Sequence, residues 1–121
     1  MGYVIYGLII ALIVSFFVRQ TLPAKGVHQL STLDLKERLN HRNCQFIDVR
    51  TPQEFKANHI RGFKNIPLGS LKDYETKLSK EKEIVVICQT GARSNMATKM
   101  LKKRGFSKLA NVRGGMSAWR D

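Results

Sequence analysis

A chain of 121 residues leaves one domain of about a hundred residues once an apolar N-terminus is set aside, enough to bury a core without disulfide support. Two cysteines, Cys44 and Cys88, exclude a disulfide framework, and neither they nor the three histidines stand at zinc-ligand spacing, so no metal and no other cofactor is expected. Lys and Arg number 21 against 9 Asp and Glu, a formal charge of +12, which favours a small anionic substrate or an anionic membrane surface as partner. Nucleic acid is disfavoured, because the lysines gather in no single stripe and no aromatic stacking pattern accompanies them; a merely solubilising surface is the plain alternative.

Residues 3–18 carry no charge and end at Arg19. As a helix, residues 1–18 would reach roughly 27 Å, close to the ~30 Å of a bilayer's hydrocarbon core, with Arg19 snorkelling to close the gap. The stretch is apolar on every face, which argues against a core helix. A cleaved signal peptide would want a basic residue before the apolar run and small residues at a cleavage site, and residues 21–24 fit poorly. Residues 1–19 are therefore expected to be an uncleaved transmembrane anchor and 20–26 a linker. Arg19 and Lys25 flank the far side, so by the positive-inside rule the chain crosses the cell membrane once and its domain, 27–121, faces the cytoplasm. That compartment keeps thiols reduced.

Within the domain a strand is expected at 27–30, followed by an N-cap at Ser31 and an acid, Asp34, in the first turn of a helix that buries Leu35 and Leu39. Residues 44–49 read as a strand. Thr51-Pro52-Gln53-Glu54 is a capping box with proline at the first helical position, opening a helix to about Asn58. A brief strand at 63–66 stops at Pro67, and Ser70 is expected to cap a helix to Leu78. Ile84-Val85-Val86-Ile87 is a run of β-branched residues that reads as a strand buried on both faces of a parallel sheet. A helix over 95–104 closes at Gly105, a last strand spans 109–112, and Gly114-Gly115 turns the chain into a terminal helical piece with Trp119. Strands alternating with helices make an α/β layer fold with a mainly parallel sheet, whose ligands sit at the carboxyl ends of the strands.

Cys88 stands at such an end. The loop Gln89-Thr90-Gly91-Ala92-Arg93-Ser94 follows it and leads into a helix, so backbone N–H groups and the positive end of a helix dipole converge on one small bowl. A cysteine there is expected to be held as thiolate, the nucleophilic form. Gly91 suits a turn with positive φ, and Arg93 can set a guanidinium beside an anion. An inert, buried strand-end cysteine is the bland reading, but it accounts for neither the glycine nor the arginine.

Four segments together resemble the rhodanese domain, a sulfurtransferase module, over nearly everything after the linker. They are Asp48-Val49-Arg50 with Glu54-Phe55; Phe55 with His59-Ile60, Gly62 and Ile66-Pro67; the loop from Cys88 to Ser94; and Gly114-Gly115-Met116-Ser117-Ala118-Trp119. Asn58, where a glycine is common, and Phe63, where a small residue is usual, depart from the pattern. The resemblance implies a three-layer α/β fold and a thiosulfate sulfurtransferase activity. Cys88 would take the outer sulfur of thiosulfate or a similar donor as a persulfide, then hand it to a thiophilic acceptor, cyanide in vitro or a thiol. Residues 89–94 would bind the substrate, with Arg93 on the anionic donor. Asp48 and Arg50 would support the loop, a surface ion pair being the alternative. His59 is read as structural, Trp119 as a core or pocket wall, and Cys44 as a buried strand residue or, less simply, a resolving thiol for Cys88.

Two other functions are weighed. Related phosphatases place five residues between cysteine and arginine, whereas four separate Cys88 from Arg93, a bowl that suits a single sulfur better than a phosphate and disfavours a phosphatase or arsenate reductase. A membrane-tethered sulfur-carrier or binding module with low turnover, fed by a sulfur-relay protein, would load persulfide from its partner and handle thiosulfate poorly. The soluble domain is expected to be monomeric.

Overall fold

The computed structural model describes residues 2–22, 25–41 and 43–120 of the chain. Helix α1 covers Gly2–Thr21, then strand and helix alternate: β1 (His28–Leu30), α2 (Thr32–Arg38), β2 (Cys44–Asp48), α3 (Pro52–Ala57), β3 (Lys64–Asn65), α4 (Leu71–Tyr74), β4 (Glu83–Ile87), α5 (Ala92–Lys103), β5 (Leu109–Val112) and α6 (Gly115–Ala118). Among the described residues the strands form one sheet in the order β1-β5-β4-β2-β3, every pair parallel. β4 sits at its centre, where a strand has no solvent-facing side, and its β-branched run answers to that position.

Side chains alternate across β4. Ile84 and Val86 join a cluster with Ala97 and Leu101 of α5 and Leu71 of α4. Val85 and Ile87 point the other way, into a cluster with Leu35 of α2, Met116 of α6 and the partly buried Phe55 of α3. Three layers result, with α4 and α5 on one face of the sheet and α2, α3 and α6 on the other. Cys88 continues the even parity of Ile84 and Val86, so its side chain falls on the α5 face.

The helix starts follow their local chemistry. Ser31 with Asp34, and Thr51 with Glu54, form reciprocal capping boxes at α2 and α3. Three boundaries differ from the sequence reading. The helix expected over 70–78 is instead α4 flanked by 3₁₀ turns at Leu68–Ser70 and Glu75–Lys77, and Ser70 makes no side-chain cap. Its inward residues Leu68, Leu71, Tyr74 and Leu78 have a spacing that 3₁₀ turns and an α-helix both allow. The strand expected over 63–66 pairs only at Lys64–Asn65, because Phe63 is held in a turn by its N–H bond to the Ile60 carbonyl. Helix α5 begins at Ala92 rather than Asn95, so Ala92, Arg93 and Ser94 form its first turn. At the N-terminus the apolar helix runs through Thr21, and Pro23 and Ala24 of the expected linker lie outside the described residues.

Candidate active site

Cys88 follows the last residue of β4 and is 1% exposed. Gly91 turns the chain at φ +108° and forms the N-cap of α5. That turn brings the Gly91 N–H to 2.9 Å from Cys88 Sγ, to which it donates. The hydroxyl of Ser94 stands 3.3 Å from the same sulfur. The N–H groups of Ala92, Arg93 and Ser94 open the helix, where no preceding turn supplies carbonyls to them. The sulfur thus rests at the positive end of a twelve-residue helix.

The far wall of the loop is α6. Met116 N–H donates to the Cys88 carbonyl at 2.8 Å and Ser117 N–H to the Gln89 carbonyl at 2.9 Å. In a trans peptide the N–H opposes the C=O, so these two bonds turn the N–H groups of Gln89 and Thr90 away from α6. Such close approach needs Gly115: a Cβ there would lie 2.2 Å from the Cys88 carbonyl oxygen, and its φ is +56°. The second glycine of the Gly114-Gly115 pair is therefore a shaping residue of the site as well as a turn.

Asp48 and Arg50 are 0% and 2% exposed, which replaces the surface ion pair of the sequence alternative with a buried one. Arg50 Nη2 lies 2.8 Å from Asp48 Oδ2, and Asp48 Oδ1 also accepts the Arg50 main-chain N–H at 3.0 Å. The rest of the guanidinium donates to the Asn58 carbonyl at 2.6 Å, the Glu54 carbonyl at 3.4 Å and the Gln89 side-chain oxygen at 3.3 Å. One cation thereby ties the end of β2 and the end of α3 to the loop.

Arg93 is engaged rather than open. Its guanidinium meets Glu54 in a bidentate pair at 2.7 and 2.9 Å, across the mouth between α5 and α3. Hydrogen bonding from Arg93 holds the Glu54 carboxyl at about 2 instead of the ordinary 4.5, with Thr51 adding to the effect against the opposing cost of burial. The same bonds raise Arg93 above its usual value. Glu54 is thus both the helix cap and the counterion of the loop arginine, a double role that its capping-box position concealed.

Asn111 and Gln29 also escaped the sequence reading. Ser94 Oγ donates to Asn111 Oδ1 at 2.5 Å, and Asn111 Nδ2 donates to Gln29 Oε1 at 3.1 Å. A run of polar contacts therefore leads from the sulfur through Ser94 and β5 to the edge strand β1. Beside it, on the outer side of the loop, lies a cavity of about 410 Å³ walled by Thr90, Ala92, Gln29 and Arg113. Only tertiary pairing of β1 with β5 brings Gln29 here, so no sequence signal marked it.

Remaining expectations are placed as follows. His59 stacks on Phe55 with ring centroids 3.8 Å apart, and its Nδ1 lies 2.7 Å from the Phe55 carbonyl, a structural position. Trp119 is half-buried against the α2–α6 face of the core, with Lys36 over its ring. Cys44 is partly exposed at the start of β2, paired in register with Glu83, while Cys88 lies beyond the end of β4. The length of β4 separates them, roughly 17 Å, which rules out the resolving-thiol reading for this fold. Among the described residues no group of three His, Cys, Asp or Glu side chains gathers to hold a metal.

The pattern of the rhodanese-like domain matches residues 31–121. The chain belongs to the rhodanese-like family. Its rhodanese domain is similar to the crystal structure of a rhodanese-like domain protein from Staphylococcus aureus, with a TM-score of 0.72 and 31% identity over 78% of this chain and 93% of that one. Among curated relatives, the putative sulfurtransferase YtwF of Bacillus subtilis is 37% identical over 77% of this chain and 90% of its own length. The uncharacterized protein YqhL of the same organism is 36% identical over 92% of this chain and 83% of its own length, a span that reaches back into α1. A rhodanese-like fold with sulfurtransferase-named relatives at this identity makes the chain a member of a sulfurtransferase family.

Proposed function

We propose that the protein is a thiosulfate sulfurtransferase working through a Cys88 persulfide. The observation that carries this reading is the seat of the sulfur: the Gly91 N–H donates to Sγ at 2.9 Å at the N-terminus of α5, while Ser94, whose Oγ lies 3.3 Å away, directs its hydrogen to Asn111. Cys88 thiolate attacks the outer sulfur of thiosulfate, and the sulfur–sulfur bond of the donor breaks with its electron pair leaving on sulfite. The new persulfide is again an anion, so the donors that serve the thiolate serve it too. Cyanide or an acceptor thiolate then attacks the terminal sulfur, and the electron pair of the persulfide bond returns to Cys88.

Residues 89–94 are assigned to substrate binding in this scheme, with Asp48 and Arg50 as supports of the loop. Arg93 faces the donor only in part, because Glu54 shares its charge. Helix α1, with mean hydropathy 2.0 over Gly2–Arg19 and none of that window buried, is long and apolar enough to cross a membrane. The proposal includes a single-pass anchor with the rhodanese domain in the cytoplasm, supported by Arg19 and Lys25 at the domain side of the helix.

Intact mass of the full chain before and after thiosulfate tests the chemistry. The expected result is a gain of one sulfur atom that cyanide removes and that Cys88→Ser never acquires while keeping its fold. A folded protein with a free Cys88 thiol and no gain would replace catalysis by a low-turnover carrier or binding module that loads from a partner.

A further inference from the structure

The helix that follows the loop also holds the membrane helix. Asn95, Lys99 and Lys102 of α5 stand at i, i+4 and i+7, one face of the helix. Asn95 Nδ2 donates to the Leu22 carbonyl at 2.6 Å, Lys99 Nζ to the Arg19 carbonyl at 3.1 Å, and Lys102 Nζ to the Lys25 carbonyl. The carbonyls of Arg19 and Leu22, at the end of α1, have no partner within the helix and carry the negative end of its dipole, so amide and ammonium donors are suited to them. The junction between α1 and the domain is a fastening, with more than a flexible tether holding it.

The neighbouring edge of α5 bears Met96, Met100 and Lys103. With Phe16 and Arg19 these residues line a hollow of about 360 Å³, and Met96 and Met100 are 40% and 37% exposed. Phe16 lies less than one helical turn inside Arg19, about 4.5 Å along the axis. Side chains of α5 that share a hollow with Phe16 share its depth. If α1 spans a bilayer, that depth is the boundary between headgroups and acyl chains, where an interfacial helix buries its apolar face by about 5–10 Å. The sequence of α5 contains Arg93, Lys99, Lys102 and Lys103 and no acid, so its charge complements lipid phosphates and opposes a basic partner.

We propose that the Met96–Met100–Lys103 edge of α5 is a membrane-docking surface for anionic lipid headgroups, which fixes the Cys88 loop at a set height and orientation beside the bilayer. The methionines enter the acyl boundary, and Lys103 keeps its stem along it and its ammonium group at the phosphates. Because α5 starts at Ala92, directly after the loop, its seating on the lipid governs how donors and acceptors approach Cys88. This inference rests on the reading of α1 as a membrane anchor.

The test is surface labelling of the full chain reconstituted into vesicles of phosphatidylcholine alone or mixed with phosphatidylglycerol. A water-soluble lysine acylating reagent and hydroxyl-radical oxidation of methionine are read site by site by peptide mass, with Lys56 on α3 as internal reference. In anionic vesicles Lys103 should react about fivefold more slowly than in neutral ones, the factor expected for one cation near a charged surface, and Met100 should be protected with it. Lys103→Glu should abolish the protection of Met100 while the chain stays resistant to carbonate extraction. Equal rates in the two lipids for a carbonate-resistant chain would overturn the docking surface and leave the anchor standing. Extraction by carbonate would overturn the anchor and the docking surface together.

Discussion

At the scale of single residues, the site depends on charges whose partners are fixed by the fold. Arg50 and Asp48 are a buried pair with every guanidinium direction occupied, so removing one partner leaves the other charged and unpaired in the interior. Arg50→Ala should cost about 3–5 kcal/mol in denaturant unfolding and also release Gln89, lowering persulfide formation in the remaining folded protein. Glu54 and Arg93 form a different kind of pair, each side chain about a third exposed. Screening by water limits that pair to about 0.5–1 kcal/mol. The folded carboxyl sits near 2 and the ordinary one at 4.5, so the stabilisation is complete above 4.5 and disappears as pH falls through 2. Glu54→Gln keeps the capping box, which accepts glutamine as well as glutamate. Its stability deficit, followed by urea unfolding across pH, should be constant from neutrality to about pH 5 and vanish towards pH 2. The same substitution frees Arg93 from its counterion, and KM for thiosulfate should fall about two- to fivefold at low salt, an effect that added salt erases.

At the scale of elements, the loop is a junction of β4, α5 and α6, and its shape comes from all three. β4 delivers Cys88 to the α5 face by parity, α5 supplies the N–H groups, and α6 pulls back the carbonyls of Cys88 and Gln89. Gly115 is the tightest point. Gly115→Ala adds a methyl 2.2 Å from a carbonyl oxygen at a positive φ, so α6 must retreat. The expected loss is about 2–4 kcal/mol by thermal or denaturant unfolding, with turnover reduced more than the folded fraction because the loop N–H groups lose their aim. The N-cap at Ser31 and the capping box at Thr51 were legible because the residues that make them lie within one turn. The 3₁₀ turns around α4 were not, since apolar residues at 68, 71, 74 and 78 fit an α-helical stripe nearly as well as a tighter one.

At the scale of the whole molecule, an apolar helix, a basic surface and a cysteine loop are joined through one helix. The cytoplasmic placement that we propose predicts a protease pattern: in inverted membrane vesicles trypsin should digest the domain, and in right-side-out vesicles it should not. The opposite pattern would put Cys88 in an oxidising compartment and reverse the orientation argued from Arg19 and Lys25.

By itself the sequence determined what depends on neighbours along the chain. The buried run before Cys88, the capped starts of α2 and α3, Gly91 at a positive φ and the alternation that makes a parallel α/β sheet all express short-range sterics and periodicity. Tertiary structure alone decided which distant groups meet. It buried Asp48 with Arg50, gave Arg93 to Glu54 across 39 residues, set Asn111 and Gln29 behind Ser94, and seated the end of α1 on α5. Such contacts depend on strand order and on which face of a helix turns inward. Those are properties of the packed whole, because each long-range contact becomes possible only when the elements between its partners have taken their places.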